Sequence, residues 1–187
     1  MKLVFFCQRR YAREILARFD MLHSNSVRNP MVPGTAFSKD DEGIPVDATR
    51  FKQAIGSLMY LTVTRPDLMF CVSLISRYMG NPKESHWAAT KRVLRYLQGT
   101  IEHGLFYQKG QQKISFSAYS DSNYAGDSDD RRSTTGSVFM FGTAAVSWAS
   151  KKQPVVSLSI TEAEYIAAAY CACQCIWVKR IIEHLGI

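Results

Sequence analysis

The chain has 187 residues, of which 47% are hydrophobic, and it carries a formal net charge of +7 with a sequence pI of about 9.2. This length and apolar content are enough for one or two domains with a core, so disorder is excluded as the default expectation. The basic surplus indicates a polyanionic partner, although a basic soluble protein without such a partner has the same charge.

The cysteines and the N-terminus predict an intracellular protein, cytoplasmic or nuclear and not secreted. The five cysteines are an odd number without zinc-ligand spacing; on a predicted helix, Cys171 and Cys175 share a face while Cys173 points elsewhere. Such thiols fit a reducing compartment. The apolar run that ends at Cys7 is too short for a signal sequence or a spanning helix.

The first part of the chain has helical periodicity. Residues 8–19 predict a basic amphipathic helix, with Arg9, Arg10 and Arg13 among its charges. Residues 23–46 contain three Pro or Gly punctuation points and predict an extended surface linker. Asp47 is a candidate N-cap for a helix with one apolar face.

Two further helices are predicted before residue 100. One begins near Pro66, is apolar nearly all round, and can end at Gly80 in a left-handed conformation. The other begins at Asn81-Pro82, with Asn81 as the cap and Pro82 in the first position. Its basic cluster consists of Lys91, Arg92 and Arg95.

The pattern changes from helical to strand-like after residue 110. Apolar residues alternate with serines over 114–120, and short apolar runs at 136–142 and 144–149 are bounded by turn residues. A helix follows over about 161–185, with Tyr165, Ala168, Cys175, Val178, Ile181 and Ile182 as its expected apolar contacts. The economical interpretation is three successive antiparallel strands and then a helix.

Two carboxylates in this second part are candidate metal ligands. Asp121 closes the first strand, where it should be half-buried and therefore costly unless it is paired or holds a metal. Glu164 lies in the first turn of the helix, where it could also be only a favourable charge at a helix N-terminus, an explanation that Glu162 shares. The spacing alone leaves both alternatives open.

Other templates for a site fail. The segment that starts at Asp121 resembles a calcium loop, but Ala125 and Arg132 occupy ligand positions, which excludes that chemistry. Asp127 and its acidic neighbours, beside Arg131 and Arg132, predict a solvated, self-neutralising loop. The four histidines have no ligand spacing, so each is expected to be a surface or core residue.

Several long motifs are distributed over almost the whole chain: Gly56-Ser-Leu-Met-Tyr-Leu-Thr-Val-Thr-Arg-Pro-Asp67, His86-Trp-Ala-Ala-Thr-Lys-Arg-Val-Leu-Arg-Tyr-Leu97, Tyr119-Ser-Asp-Ser-Asn-Tyr-Ala-Gly-Asp127, Ser147-Trp-Ala-Ser-Lys-Lys-Gln-Pro-Val-Val156 and Thr161-Glu-Ala-Glu-Tyr165. In their residues and their order they resemble the Pol polyprotein of copia-type LTR retrotransposons. The resemblance implies that residues 1–110 are the end of the reverse transcriptase and its connection. Residues 111–187 would then be the front of a ribonuclease H domain.

This resemblance implies an α/β fold (α+β overall): a mostly helical first part and an incomplete ribonuclease H-like fold of three antiparallel strands and a helix. By resemblance, Asp121 and Glu164 help to bind two Mg²⁺ or Mn²⁺ ions. Glu164 is preferred to Glu162 because it is followed by Tyr-Ile-Ala-Ala, which is similar to the start of that helix elsewhere in the superfamily.

The departures from the family decide the expected activity. The polymerase motif Tyr-x-Asp-Asp is absent, and two of the expected metal-binding carboxylates are not among these residues. Two carboxylates cannot fix two ions about 3.5–4 Å apart. We therefore expect a parent that cleaves the RNA strand of RNA–DNA hybrids, a chain that is inactive alone, and a metal that this fragment does not hold stably.

Two alternatives remain. In the first, the chain is a non-catalytic module that binds nucleic acid weakly through Arg9, Arg10, Arg13, Lys91, Arg92 and Arg95. In the second, it is a decayed open reading frame without a selected role. The resemblance also implies that the strand at 114–120 lacks its usual outer neighbour, so its edge is a template for self-association.

Overall fold

The structure is a computed structural model that describes residues 3–39, 42–108 and 116–186. The described residues divide into two compact units, Val4–Phe106 and a second unit from Tyr107 onwards that also takes in Leu3. This division lies close to the predicted boundary at residue 110. The assignment of the two parts to a reverse transcriptase and a ribonuclease H remains a prediction.

The first unit is built mainly from helices. The elements up to residue 108 are β1 (Leu3–Phe6), α1 (Arg9–Arg18), α2 (Ala48–Leu61), a 3-10 turn (Pro66–Leu68) that leads into α3 (Met69–Ser76), α4 (Glu84–Gly99) and β2 (Leu105–Gln108). Of these residues, Leu3, Tyr107 and Gln108 belong to the second unit. β1 and β2 form a two-stranded sheet that the sequence analysis did not predict. Gly104 permits the close approach of these segments, because a Cβ atom there would lie 2.2 Å from the carbonyl oxygen of Phe6.

The core of this unit is the apolar face of each helix, as the periodicity predicts. The fully buried large side chains include Ile15, Leu16, Phe51, Ile55, Leu58, Leu61, Val72, Ile75, Leu94 and Leu97. Asp47 caps α2 as predicted, since its carboxylate accepts hydrogen bonds from the N–H groups of Thr49 and Arg50 at 2.8 and 3.2 Å. Burial of these side chains is the main stabilising contribution in the unit.

A buried arginine connects the turn before α3 to the end of α4. Arg65 is 2% exposed, and its guanidinium donates to both carboxylate oxygens of Asp67 and to the carbonyl oxygen of Thr100. The hydroxyl of Tyr96 donates to the same carboxylate at 2.9 Å. Burial raises the pKa of Asp67, but the hydrogen bonds and charge of Arg65 outweigh it, so the pKa is lowered from its ordinary value. The buried charge is therefore fully paired.

Two predicted helix ends are wrong. Gly80 is not left-handed: α3 already ends at Ser76, where N–H groups of residues 77–79 bond to carbonyls three residues back and satisfy the helix end. α4 begins at Glu84 instead of Asn81-Pro82, because the Pro82 carbonyl accepts from the N–H of Val46 and holds this stretch extended. At the N-terminus of α4, the backbone N–H of the N-cap residue Lys83 donates a hydrogen bond to Nδ1 of His86 at 3.0 Å.

The predicted surface linker is partly buried. Phe37 is buried against Leu74 and Tyr78, and the Tyr78 hydroxyl donates to the Phe37 carbonyl oxygen at 2.9 Å. The segment contains no regular helix or strand within 23–39 and 42–46, as expected for its Pro and Gly content. It therefore packs on the helices, although its Pro and Gly residues give it an irregular backbone.

The second unit contains the predicted meander and helix. The strands β3 (Phe116–Asn123), β4 (Thr134–Phe141) and β5 (Ala144–Lys152) form an antiparallel sheet in the order β3-β4-β5, followed by α5 (Ile160–His184). β4 and β5 are joined by Gly142 and Thr143, and Gly142 takes the left-handed conformation that so short a loop requires. The mixed α/β class is confirmed, and three antiparallel strands followed by a helix are consistent with an incomplete ribonuclease H-like fold. Residues 114 and 115 lie outside the described part.

The buried stripe of α5 differs from the predicted one. Ala163, Ala167 and Cys171, spaced four residues apart, are buried where α5 packs on β3 and β4. Tyr165 is 73% exposed and Ala168 is also exposed, so both were predicted wrongly. Small side chains let α5 approach the sheet closely, so small residues occupy the buried positions in place of the larger apolar residues that were predicted there. Among the described residues, no helix is both long and apolar enough to cross a membrane.

Candidate functional site

The two predicted carboxylates lie at neighbouring positions of the second unit. Ser122 follows Asp121 in β3, and its backbone N–H donates to Oε1 of Glu164 at 3.2 Å. Glu164 is half-buried at the start of α5. Asp121 is exposed instead of half-buried, and its carboxylate makes no hydrogen bond or ion pair with the described residues. The start of α5 thus brings one carboxylate to the strand that carries the other.

Glu162 has a different role from Glu164. Ser159 caps α5 by accepting a hydrogen bond from the Glu162 N–H at 3.1 Å, while Oε2 of Glu162 accepts from the N–H of Leu158 at 2.6 Å. This reciprocal pair satisfies two backbone donors at the helix N-terminus. The carboxylate of Glu162 is therefore used in capping, which leaves Glu164 as the carboxylate of this turn that reaches β3.

A buried amide holds the start of α5 against the sheet. Nε2 of Gln153 lies 2.9 Å from the carbonyl oxygen of Ala163, 3.1 Å from the Thr135 hydroxyl and 3.4 Å from the Ser122 hydroxyl. Its Oε1 accepts from the hydroxyl of Ser157 at 3.0 Å. Gln153 is 3% exposed and thereby connects β3, β4 and α5 beside Asp121 and Glu164. The sequence analysis missed it, because a glutamine carries no signal of burial outside a known motif.

The acidic loop between β3 and β4 is ordered, and its interpretation as a solvated loop is wrong for Asp127. This residue is buried: Oδ1 accepts from the N–H groups of Asp129 and Asp130, and Oδ2 lies 2.6 Å from Nζ of Lys152. Burial raises the pKa of Asp127, but the bonds from Lys152 and the two N–H groups outweigh it and lower the pKa to about 2. Asp130 pairs with Arg132 at 3.6 Å, as the self-neutralising loop implies.

The chemistry of the carboxylate pair fits a hard divalent cation. Asp121 and Glu164 supply oxygen atoms, the ligands that Mg²⁺ and Mn²⁺ prefer, and the Asp121 oxygens are accessible. Over the described residues, no group of three or more His, Cys, Asp or Glu side chains could hold a metal ion. The pair therefore supplies at most two carboxylate ligands to such a cation.

The two basic clusters differ in their partners. In α1, Arg9 and Arg13 both contact the carboxylate of Glu102, and Arg10 pairs with Glu14 at 2.9 Å. These exposed pairs contribute little to stability, yet each carboxylate cancels part of the positive field. The helix is therefore less attractive to phosphate than its arginine count suggests.

The α4 cluster has no carboxylate partner within the described residues. Nη2 of Arg92 donates to the side-chain oxygen of Asn29, and Nε of Arg95 donates to the carbonyl oxygen of Asn25 at 2.7 Å. Lys91 is exposed. The three cations keep their full charge while neutral acceptors hold the two arginines in place.

The remaining candidates are structural. His86 is a core residue as expected, stacked on Tyr78 with ring centroids 4.0 Å apart and with Nε2 lying 2.9 Å from the carbonyl oxygen of Ser38. Cys71 is buried, and burial raises the pKa of its thiol to about 12, which makes it unreactive. Cys171 is buried, Cys175 is half-buried and Cys173 is exposed, as the helical spacing predicts.

Comparison with known proteins gives a consistent group of relatives. The chain is 43% identical over 180 residues to the retrovirus-related Pol polyprotein from transposon RE2 of Arabidopsis thaliana and 39% identical over 191 residues to that from transposon TNT 1-94 of Nicotiana tabacum. These matches cover 96% and 98% of the chain but only 12% and 14% of the polyproteins. It is also 38% identical to an uncharacterized mitochondrial protein of Arabidopsis thaliana, over 93% of the chain and 72% of that protein.

Two other comparisons add nothing to this group. No protein-family model matches the chain, and no solved structure matches it.

Replacing the buried amide should loosen the candidate site. Gln153→Met keeps the side-chain size but leaves the Ala163 carbonyl and three hydroxyls without their partner. We expect the free energy of unfolding to fall by about 3 kcal/mol in urea titrations, with faster amide exchange at Ser122. The control is Gln174→Met in α5, where we expect a change within about 0.5 kcal/mol. Equal stability of the two variants would contradict the role of Gln153.

The buried acidic residue should control stability in acid. Because the pKa of Asp127 is lowered from 3.8 to about 2, its contribution is present above pH 4 and lost as the pH falls to 2. Asp127→Asn should therefore unfold about 2 kcal/mol more easily at pH 7, and the difference should disappear near pH 2. The measurement is urea unfolding across this pH range. A pH-independent difference would show that charge is not the cause.

Proposed function

Because the chain belongs to the copia-type retrovirus-related Pol polyproteins of transposons, we propose that its second unit supplies part of a ribonuclease H site. The reaction is hydrolysis of the RNA strand of an RNA–DNA hybrid. The single observation that supports it is the hydrogen bond from the Ser122 N–H to the Glu164 carboxylate, next to Asp121. A strand-end aspartate and a helix-start glutamate are thereby held together.

In this proposal the two carboxylates have distinct tasks. Asp121 is accessible and would offer its oxygens to a cation, while Glu164, which accepts a hydrogen bond from the Ser122 N–H through Oε1, would offer its second oxygen. When bound, Mg²⁺ or Mn²⁺ polarises the phosphodiester and activates the attacking water. Gln153 acts through these groups as a positioning residue, since it fixes the first turn of α5 on β3 and β4.

The same residues also limit the reaction. Two-metal hydrolysis holds the attacking and leaving oxygens between two ions, and this geometry requires more carboxylates than Asp121 and Glu164. The acidic residue nearest to Asp121 in sequence, Asp127, is buried and bonded to Lys152, and Glu162 beside Glu164 is used in capping α5. We infer that further carboxylates must be added before hydrolysis occurs, as in the parent polyprotein.

The nuclease prediction follows from this limit. The 187-residue chain should not measurably degrade an RNA–DNA hybrid in Mg²⁺ or Mn²⁺, whereas a version extended through the rest of the ribonuclease H domain should degrade it. In the extended protein, Asp121→Asn or Glu164→Gln should reduce the rate by about 100-fold or more, because each removes a ligand charge. The assay is gel analysis of a labelled RNA strand.

The matched control is Glu162→Gln, which changes a neighbouring carboxylate that only caps α5. It should retain most of the extended protein's activity. Turnover by the 187-residue chain that disappears in Asp121→Asn would contradict the limit. An extended protein that is unaffected by Asp121→Asn and Glu164→Gln would overturn the site itself.

A second candidate function is weak, sequence-independent binding of nucleic acid by the first unit. The observation that favours it is the absence of any carboxylate partner for Lys91, Arg92 and Arg95 among the described residues. Phosphate contacts release counterions and read no bases, so such binding depends strongly on salt.

The salt dependence of binding distinguishes the two basic clusters. Replacing Lys91, Arg92 and Arg95 together by Gln should reduce the slope of log K against log salt by about 2 to 3. Replacing Arg9, Arg10 and Arg13 should reduce it less, because Glu102 and Glu14 already neutralise part of their charge. Fluorescence anisotropy with a labelled hybrid measures the slope. Unchanged slopes in both variants would remove these residues from the binding surface.

A further inference from the structure

A cavity of about 650 Å³ lies in the first unit, between residues 85–95 of α4 and the irregular segment that follows α1. Its volume is within the range of pockets that bind small molecules. None of the residues that support the proposed hydrolysis lines it. The cavity therefore requires an explanation of its own.

The wall of the cavity is mostly apolar. It is formed by Met21, Pro30, Met31, Val32, Ala36 and Phe37 from the irregular segment, and by Ala88 and Ala89 from α4. The two hydroxyl groups in the lining belong to Thr35 and Ser85, and that of Thr35 already donates to the Val32 carbonyl oxygen at 2.8 Å. An apolar body fits this wall better than a nucleobase, whose polar edge would lose its hydrogen bonds to water.

Three cations line the same cavity. Lys91 and Arg92 are adjacent in α4 and Arg95 lies about one turn later, and no Asp or Glu is among the lining residues. The two arginines are bonded to neutral oxygens of Asn29 and Asn25. Nε of Arg92 is buried without an acceptor, so its guanidinium is incompletely satisfied and gains by turning towards an anion.

We propose that this cavity binds a small amphiphilic anion, a phosphate or carboxylate group joined to an apolar aryl or alkyl body. The anion would contact Lys91, Arg92 and Arg95, and the body would fill the space lined by Met31 and Ala88. This inference goes beyond the nuclease proposal and does not depend on it. It differs from the binding of nucleic acid because it requires the apolar wall as well as the cations.

The direct test is calorimetric titration of the whole chain with 2-naphthyl phosphate. We expect saturable one-to-one binding. Neutral 2-naphthol, which lacks the anion, should bind at least about tenfold more weakly, because it forms no charge-assisted hydrogen bonds. Adenosine monophosphate, which has the anion but a polar body, should also bind at least about tenfold more weakly. Decyl phosphate should compete with 2-naphthyl phosphate.

Two substitutions locate the site. Ala88 is exposed on α4 and lines the cavity, so Ala88→Phe should fill the mouth and weaken binding at least about tenfold. The matched control is Ala172→Phe, at an exposed helical alanine in the other unit, which should leave the affinity unchanged. Salt-dependent hybrid binding, which needs only the cations, should survive Ala88→Phe.

The outcomes are decisive in each case. Absence of saturable binding, equal affinity for 2-naphthol or adenosine monophosphate, or an unchanged affinity in folded Ala88→Phe would overturn the proposal. If circular dichroism shows that Ala88→Phe is unfolded, Lys91→Gln provides the test, since Lys91 is exposed and makes no hydrogen bond or ion pair with the described residues. It should weaken 2-naphthyl phosphate binding several-fold without affecting 2-naphthol, and an unchanged affinity for the phosphate would contradict the inference.

Discussion

The side-chain amide of Gln153 is the interaction on which the candidate site depends. A sheet of three strands and one helix buries few side chains, and the buried residues of α5 are only Ala163, Ala167 and Cys171. Such small residues permit close packing but do not fix the position of a helix along a strand. The hydrogen bonds from Gln153 to Thr135 and to the Ala163 carbonyl do so, because a buried polar group tolerates little displacement. The position of Glu164 beside β3 follows from that register.

The first unit is held by a different kind of constraint. Its core is apolar, and the buried guanidinium of Arg65 connects the turn before α3 to the end of α4. This group donates hydrogen bonds to Asp67 and to the carbonyl oxygen of Thr100. The surface of this unit carries two kinds of basic residue, those with a carboxylate partner and those without one. The arginines of α1 have carboxylate partners, whereas Lys91, Arg92 and Arg95 have none within the described residues. Pairing, more than the number of basic residues, indicates where an anion is attracted.

Much of the fold could be predicted because periodicity reports burial. The apolar faces of α1, α2 and α4 and the three strands of the meander all follow from repeats of 3.6 or 2 residues. The helix ends at Gly80 and Asn81 were predicted wrongly, since tertiary hydrogen bonds at Pro82 and tight turns after Ser76 outweighed the local signals. In α5 the preference for large apolar residues misled the prediction, because close approach to the sheet selects alanine.

The site was only partly predictable. Asp121 and Glu164 could be chosen because a family resemblance supplied their roles, and their selection as metal ligands remains a prediction. The pattern could not identify Gln153, since nothing in a single sequence marks one glutamine as buried. The opposite problem arose at Asp127, which stands first in a run of acidic residues that was predicted to be solvated. Asp127 is buried, and its carboxylate is paired with backbone N–H groups and with Lys152. Partners that are distant in sequence decide both cases.

Asp121 and Glu164 are proposed to face one cation. Paramagnetic broadening by Mn²⁺ in spectra of the ¹⁵N-labelled chain tests it most directly, because broadening reports proximity even when binding is weak. We predict that substoichiometric Mn²⁺ selectively broadens the amide resonances of Ser122 and of the first turn of α5, and that Asp121→Asn abolishes this effect. Broadening centred on Asp129 and Asp130, or broadening at Ser122 that persists in Asp121→Asn, would contradict the claim.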